Sequence, residues 1–360
     1  MRTPPRPIDV TAALPELAAH ARETTRLHPR PGAPTTADSS IGGPLLWPAD
    51  EPWPVCSAPR MVRRGEPVPP TLTAGLKQAQ AEREERRRSG LGSRPTREQL
   101  ALLDDPALRG KSVNLVDYTA HWYEPEAHPE PNPLVAIAQL HARDIPTVAF
   151  PSGTDLLQVL WCPTDHQDLP GQTRYWGPAV HLVWRRAADV TPAPNHRGTA
   201  PPDPHDANDS YLPAPCVLHP EQVTEYQYAD LLPHSPPDAP LDALRDRLHA
   251  LDDLWESETG YSYQYDLSIA PGCKAGGWAS WHLTDPVAVD CRCGAPMDVL
   301  LTLDSREWDG GSKSWRPVED VVADQVGAAG PTGLTHGRWG ALRIFVCPTD
   351  PTHAHRLNIQ

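Results

Sequence analysis

The chain has 360 residues, with 45 prolines, 24 glycines and a hydrophobic fraction of 39%, and this length suffices for two domains or one body of two similar halves. Its formal net charge of −14 at pH 7 argues against nucleic-acid binding, because phosphate backbones select basic surfaces. The sequence contains neither a run of about 18 apolar residues nor an apolar signal region near its start, so we expect no membrane partner and a cytoplasmic location.

The first 40 residues predict an N-terminal helix and a linker. Apolar residues between 9 and 28 recur near helical spacing, and Pro15 would lie in the first turn or at a kink. Residues 29–40 are rich in Pro, Gly, Thr and Ser, which is typical of a connecting segment.

Residues 57–132 interrupt the sheet-forming part of the chain as an insertion. Charged residues near 74–89 and a second segment near 96–104 predict two helices in it. The basic residues from Arg83 to Arg88 alternate with glutamates, so we interpret them as a solvated helix face rather than as a nucleic-acid site.

Several short apolar runs bounded by turn residues predict strands. These runs are Leu134–Leu140, Leu156–Trp161, Ala179–Trp184, Val299–Asp304 and Leu342–Val346. Residues 191–215 indicate a surface loop, 217–232 a strand that passes into a turn, and 261–265 a half-buried strand. Helical spacing of apolar residues predicts helices over 240–257 and 318–326. Strands and helices without regular βαβ alternation predict an α+β fold.

Four blocks of similar sequence recur in the same order and indicate an internal duplication. The first set is Ile41–Trp47, Trp53–Cys56, Leu134–Leu140 and Leu160–Asp165, and the second is Ala275–Trp281, Cys291–Met297, Val299–Asp304 and Phe345–Asp350. The predicted fold is therefore a pseudo-two-fold body of mixed or antiparallel sheet, forming a single compact unit. Its parts are a first half over 41–185, a connecting loop, strand and helix over 186–260, and a second half over 261–360.

The second half carries a candidate zinc site. Because we expect a reducing compartment, the seven cysteines favour metal ligands or buried thiols over disulfides. Cys291 and Cys293 lie in a glycine-containing turn, and Cys347 and His353 follow a late strand. These four ligands predict one structural zinc ion with no open coordination position. His355, or less readily Cys273, are the alternative fourth ligands, and ordinary buried thiols are the alternative to metal binding.

The first half holds a degenerate counterpart of this site. Cys56, Cys162 and His166 match Cys293, Cys347 and His353 in position, but no second thiol follows Cys56. We interpret this group as a site that decayed after duplication. The alternative is a catalytic zinc site with three protein ligands and an open position, for which Asp165 is the neighbouring acid or base.

The combination of Ile41-Gly-Gly-Pro, Trp53-Pro-Val-Cys56, Gly272-Cys-Lys-Ala-Gly-Gly-Trp278 and Cys293-Gly-Ala-Pro-Met297 resembles the YwqG-like bacterial family, a domain of unknown function. The resemblance covers most of residues 40–360 apart from the insertion. It implies a duplicated α+β body with family cysteines at Cys56, Cys291, Cys293 and Cys347, and it supplies no catalytic residues.

These features favour a non-enzymatic, zinc-stabilised module that binds a protein partner. The sequence contains no nucleophile elbow and no phosphate-binding loop, and its 12 tryptophans suit an interaction surface. An immunity-type protein that neutralises a bacterial toxin is one specific version. The competing hypothesis is a zinc-dependent hydrolase that uses the open site in the first half.

Overall fold

The computed structural model describes residues 1–92, 94–172, 174–191, 203–232, 241–282, 284–323 and 327–360. The described residues divide into two compact units. The main unit comprises Met1–Ala58 and Glu130–Gln360, and the inserted unit comprises Pro59–Pro129. Parts of the expected loop at 191–215 and of the expected helices at 240–257 and 318–326 lie outside the described residues.

The main unit consists chiefly of antiparallel strands with short helices between them. Its strands are β1 (Ala21–Arg26), β2 (Arg30–Pro31), β3 (Ser40–Ile41), β4 (Val55–Cys56), β8 (Asn132–Pro133), β9 (Val135–His141), β10 (Leu156–Gln167), β11 (Trp176–Arg185), β12 (Cys216–Val217), β13 (Glu221–Tyr226), β14 (Lys274–Gly276), β15 (Asp298–Asp304), β16 (Ala341–Val346) and β17 (Arg356–Ile359). Its α-helices are α1 (Val10–Ala13), α4 (Leu241–Thr259) and α5 (Val318–Ala323), its 3₁₀ helices are Pro15–His20, Ala187–Asp189, Asp209–Tyr211, Ala229–Leu231 and Lys313–Trp315, and Tyr263–Ser268 is a π-helix.

The inserted unit has a core of its own. It contains the strands β5 (Arg60–Pro67), β6 (Ser112–Asn114) and β7 (Thr119–Glu126) and the helices α2 (Pro70–Arg88) and α3 (Arg97–Leu103). The strands form an antiparallel sheet in the order β5-β7-β6. Its core comprises Val68, Leu76, Leu108 and Ala120, and a capping box between Thr96 and Gln99 starts α3. Both expected helices of this segment are confirmed.

Two larger sheets make up the main unit, and the expected α+β class is confirmed. Sheet 1 has the order β11-β10-β9-β3-β12-β2, and sheet 2 has the order β13-β1-β14-β15-β16-β17. In both sheets, four strands lie side by side in chain order, β3-β9-β10-β11 and β14-β15-β16-β17, although the short strands β4 and β8, which pair in a sheet of their own, lie between β3 and β9 in sequence. This correspondence supports the duplication hypothesis, which stays a prediction.

The two sheets share one hydrophobic core. Sheet 1 contributes residues such as Ile137 and Trp161, and sheet 2 contributes residues such as Leu301 and Ile344, all of them buried. Successive residues of a strand face opposite sides of a sheet. The face of each sheet that lies away from the shared core therefore packs against other segments of the chain. Helix α4 belongs to a second cluster, in which Leu248 is buried. No helix of the described residues is long and apolar enough to cross a membrane.

The predicted helix over 9–28 is wrong beyond its first turn. Helix α1 ends at Ala13, a 3₁₀ helix follows from Pro15, and Ala21–Arg26 forms a strand between β13 and β14. Pro15 lacks the N–H that would continue α1. The spacing of apolar residues did not predict this strand, because its buried residues include the polar Thr24, Thr25 and Arg26. Polar residues give no hydrophobic pattern in the sequence.

The predicted strand over 261–265 is also wrong. Tyr263–Ser268 forms a π-helix instead. Ser262 and Asp266 favour this turn, because the Asp266 carboxylate accepts a hydrogen bond from the Ser262 backbone N–H at 2.9 Å and the Ser262 hydroxyl accepts one from Tyr265 N–H. The alternation of tyrosines with polar residues therefore reflects a capped helical turn rather than a strand.

Gly42, in the first glycine pair, is required by both its backbone conformation and its surroundings. Its φ of +65° disfavours other residues, and a Cβ there would lie 2.7 Å from the backbone oxygen of Ala214. We expect Gly42→Ala to lower the free energy of unfolding by about 3 kcal/mol. Gly153→Ala, with φ +81° and open surroundings, should cost only about 1 kcal/mol. Urea unfolding of both variants checks this, and equal losses would show that the close approach to Ala214 is unimportant.

His336 predicts a specific acid sensitivity. It is fully buried, it packs edge-on against Trp161, and neither ring nitrogen has a hydrogen-bond partner among the residues that the structure describes. Burial lowers the pKa of His336 to about 3. Below pH 6.5 the unfolded chain therefore gains a proton that the folded protein does not bind, so stability falls as the pH drops from 6.5 toward 3, by up to about 1.4 kcal/mol per pH unit.

Replacing His336 with phenylalanine should remove this contribution while keeping a ring against Trp161. Between pH 7 and pH 5 we expect the variant to lose about 2 kcal/mol less stability than the unaltered protein. Denaturant unfolding at the two pH values measures this difference, and parallel losses in both proteins would contradict the assignment.

Candidate metal centres and binding groove

The turn that carries Cys291 and Cys293 is closed by backbone hydrogen bonds. Cys291 N–H donates to Ala295 O and Gly294 N–H donates to Cys291 O, both at 2.9 Å. Gly294 has φ +88°, a conformation that glycine adopts without strain. The bridge between Asp290 and Pro296 completes a tight hairpin, which turns the two thiols of a Cys-x-Cys sequence toward one point.

Strand register brings Cys347 to this turn. Asp298 at the start of β15 pairs with Val346 at the end of β16, so the residues just outside the pair, Met297 and Cys347, are neighbours. The chain then turns back through His353, whose backbone N–H donates to Asp350 O at 3.0 Å. A small apolar cluster that includes Met297 and Phe345 packs behind the site.

The four predicted ligand residues lie together. The Sγ atoms of Cys291, Cys293 and Cys347 and a ring nitrogen of His353 all lie within 4.8 Å of one another. Cys293 Sγ lies 3.5 Å from Cys347 Sγ, and Cys291 Sγ lies 3.4 Å from His353 Nδ1. Tetrahedral zinc with Zn–S distances of ~2.3 Å and Zn–N distances of ~2.1 Å implies donor separations of about 3.5–3.8 Å, so this group, the Cys3His cluster, could hold a metal ion.

The electrostatics of the Cys3His cluster favour a thiolate at Cys347. Burial raises the pKa of Cys347, but hydrogen bonds from the backbone of Asp350 and Thr349 and from His353 outweigh burial and bring this pKa to about 6. Contacts with the sulfurs of Cys347 and Cys291 raise the pKa of His353. Clustered thiolates repel each other, and a bound cation relieves that repulsion.

Neither alternative fourth ligand lies in the cluster. The His355 backbone oxygen accepts a hydrogen bond from Gln172 at 3.1 Å, and burial lowers the pKa of its ring to about 4. Cys273 lies in the shared core of the two sheets, where its thiol donates to Asp304 O at 3.7 Å. The structure thus places His353, rather than His355 or Cys273, beside the three thiols.

A second group of ligand atoms lies in the first half. The Sγ atoms of Cys56 and Cys162 and a ring nitrogen of His166 lie within 4.8 Å of one another, and all three residues are buried. Cys56 Sγ is 3.9 Å from His166 Nε2. We call this group the Cys2His cluster, and it too could hold a metal ion. Cys162 and His166 lie on β10 of sheet 1, and Cys347 directly follows β16 of sheet 2.

Sequence reasoning missed two polar residues that contact the Cys2His cluster. Thr164 Oγ1 lies 3.2 Å from Cys162 Sγ and 3.1 Å from His166 Nε2. Asn132 donates to Cys162 Sγ at 3.6 Å and to Asp206 O at 2.8 Å. The signal for Thr164 was available, because alternate residues of a strand share one face and Thr164 lies between Cys162 and His166 on β10.

Asp165 points away from the Cys2His cluster. Its carboxylate accepts a hydrogen bond from Tyr211 OH at 2.6 Å, as expected for a residue between inward-facing neighbours on β10. The carboxylate that the hydrolase hypothesis invoked is therefore engaged elsewhere.

A groove of about 380 Å³ opens on sheet 2. Aromatic and arginine side chains make up much of its lining. Those side chains are Tyr265, His282, Trp308, Trp339, Arg306, Arg338 and Arg343. Trp339 is 61% exposed, and the Arg306 guanidinium lies 4.6 Å from the centre of its ring. We call this the Trp339 groove.

The lining of the Trp339 groove includes a buried arginine, Arg343, and a half-buried carboxylate, Asp304. Arg343 donates to Asn358 and Ser280, each at 3.0 Å, and within the described part of the chain its Nε has no hydrogen-bond partner. Burial lowers the pKa of Arg343 to about 10. Burial also raises the pKa of Asp304 to about 6. The three arginines of the lining outnumber its two aspartates, Asp304 and Asp309, and this difference gives the groove a positive surplus.

No family model matches this chain, and no curated protein matches it in sequence.

Proposed function

We propose that this protein is a zinc-stabilised, non-enzymatic module that binds a protein partner through the Trp339 groove. The observation that carries the binding role is the exposed Trp339 beside arginines in a concave surface. Trp, Tyr and Arg are the residues that most often dominate the binding free energy of protein interfaces. The resemblance to the YwqG-like family agrees with this proposal in its cysteines and adds no catalytic residue.

The Cys3His cluster supports the zinc part of the proposal. Three thiolates and one imidazole are soft or borderline ligands that suit zinc and disfavour calcium or magnesium. Four protein ligands leave no position for a substrate or a reactive water, which is typical of structural rather than catalytic zinc. We assign one structural zinc ion to Cys291, Cys293, Cys347 and His353.

A disulfide between Cys293 and Cys347 is the competing explanation for the pair of sulfurs 3.5 Å apart. It would leave Cys291 and His353 without a role, although their donor atoms lie 3.4 Å apart in the same cluster. A single ion accounts for all four residues, so we favour zinc.

The partner is expected to present an acidic side chain to the Trp339 groove. Three arginines line it against the two aspartates Asp304 and Asp309. This local positive surplus contrasts with the net charge of −14 of the whole chain, so electrostatic attraction would orient an acidic partner segment toward this face. A toxin neutralised by an immunity-type protein is one partner of this kind.

The zinc-dependent hydrolase remains the alternative, and it has less support. It requires an acid or base beside the Cys2His cluster, and the Asp165 carboxylate is bound to Tyr211 instead. The groove hypothesis does not require Asp165 to leave Tyr211.

Co-purification tests the proposed partner binding. The tagged full chain, Trp339→Ala and Trp176→Ala would be expressed in the native host and purified under identical conditions. Trp176 is the control because it is also partly exposed, at 36%, and it does not line the groove. We expect a stoichiometric protein partner with the unaltered chain and the control, and binding about 30-fold weaker or more with Trp339→Ala. Absence of a partner, or equal retention by all three proteins, would refute the proposal.

A further inference from the structure

The Cys2His cluster has the composition of a metal site rather than of a group of buried thiols. Cys162 and His166 are 0% exposed and Cys56 is 7% exposed. Buried cysteines usually behave as small apolar residues, whereas here two thiols meet an imidazole and the Thr164 hydroxyl. The Asn132 amide donates to Cys162 Sγ and to the backbone oxygen of Asp206. Metal ligands are commonly oriented by hydrogen bonds of this kind from neighbouring polar groups.

We propose that Cys56, Cys162 and His166 bind a second zinc ion, so that the protein carries two zinc ions per chain. This assignment replaces the interpretation of the group as a decayed site. Two thiolates and one imidazole select zinc-type cations over hard cations. A tetrahedral ion takes one further ligand besides these three.

Charge balance explains why this site can lie deeper than the Cys3His cluster. A divalent ion with two thiolates and a neutral imidazole has a net charge of zero, and a neutral centre is buried at much lower cost than a charged one. Three thiolates around the same ion leave a charge of −1. In agreement, Cys293 of the Cys3His cluster is exposed and the His353 side chain is 40% exposed, whereas each of the three residues here is buried.

The position in the fold supports the assignment independently. Cys162 and His166 lie on β10, the third strand of β3-β9-β10-β11, and Cys347 directly follows β16, the third strand of β14-β15-β16-β17. Strand β4 places Cys56 opposite Asn132, next to the start of β9. The corresponding turn of the second half, which carries Cys291 and Cys293, precedes β15. Both clusters therefore use a segment before the second strand and a segment at or after the third.

Zinc content per chain tests the proposal. The full chain and its variants would be loaded with zinc under reducing conditions, freed of loosely bound metal on a desalting column, and analysed by mass spectrometry of the metal. We expect two ions in the unaltered protein, one in Cys162→Ser, one in Cys293→Ser and none in the double variant. Cys216→Ser, which removes a buried thiol outside both clusters, should keep two.

X-ray absorption at the zinc edge on the unaltered protein gives a second readout that does not depend on the folding of any variant. Two occupied sites would give an average between two and three sulfur ligands per zinc. One ion per chain with three sulfur ligands would overturn the proposal and leave the Cys3His assignment intact. One ion with two sulfur ligands would support the second site and refute the first.

Discussion

Replacing Cys347 with serine is expected to release the zinc ion of the Cys3His cluster and to lower the free energy of unfolding by about 4 kcal/mol or more. The side chain is fully buried, and in the proposed site its sulfur would join the end of β16 to the Cys291–Cys293 turn through the ion. The melting temperature should fall by about 8 °C or more. Metal analysis together with thermal unfolding measures both effects.

Cys216→Ser provides the matched control for this prediction. Its thiol is also buried, it donates to Pro331 O at 3.4 Å, and it lies outside both clusters. We expect its zinc content to be unchanged and its stability to fall by only about 1 kcal/mol. If Cys347→Ser retained all its zinc, or lost no more stability than Cys216→Ser, a structural zinc ion at this cluster would be contradicted.

Replacing Lys274 with methionine is expected to cost about 3–5 kcal/mol, because it leaves a buried carboxylate without its cation. Lys274 is 2% exposed, and its ammonium group binds the fully buried Glu225. Glu225 also accepts hydrogen bonds from the backbone N–H groups of Ala270 and Trp278. Lys274 lies in the glycine-rich segment 272–277. Because its ammonium group is bound to the buried Glu225, its role in that segment is structural.

A double variant separates loss of charge balance from loss of packing. Lys274→Met combined with Glu225→Gln removes both charges, and we expect it to recover at least about 1 kcal/mol of the loss. The single variant should also be less destabilised at pH 5 than at pH 8. Its unpaired Glu225 has a raised pKa in the folded state, so the stability contributed by the protonated form is lost as the pH rises. If the unfolding free energy of Lys274→Met lay within 1 kcal/mol of that of the unaltered protein, the account would be contradicted.

Gly277 connects this ion pair to the second glycine pair of the repeat. Its φ is +75°, and a Cβ would lie 2.4 Å from a carboxylate oxygen of Glu225. The glycine at this position therefore allows the backbone to approach the buried carboxylate closely. In this segment the strand is Lys274–Gly276 itself.

The strands of the shared core could be predicted because their apolar runs are continuous. Leu156, Val159 and Leu160 lie on β10 and are all fully buried, so hydrophobicity alone identified this segment. Strand β1 could not be found in this way. Its buried Arg26 donates to Thr3 Oγ1 and Trp315 O, partners that are known only once the sheet has formed.

The clustering of these cysteines and histidines could be predicted because their signals are local. Cys291 and Cys293 share one glycine turn, and the Cys-Pro-Thr-Asp sequence recurs at Cys162 and Cys347. The Trp339 groove has no such signal, since its residues come from segments near 265, 282, 306 and 339 that only the sheet order brings together. The repeated tetrapeptide also has two conformations, because β10 continues to Gln167 whereas β16 ends at Val346.

An anomalous difference map recorded above the zinc absorption edge tests the central claim most directly. Crystals of the freshly purified full chain should give a peak about 2.3 Å from the Sγ atoms of Cys291, Cys293 and Cys347 and about 2.1 Å from a ring nitrogen of His353. Absence of a peak at this position, with a disulfide joining Cys293 to Cys347, would contradict the account.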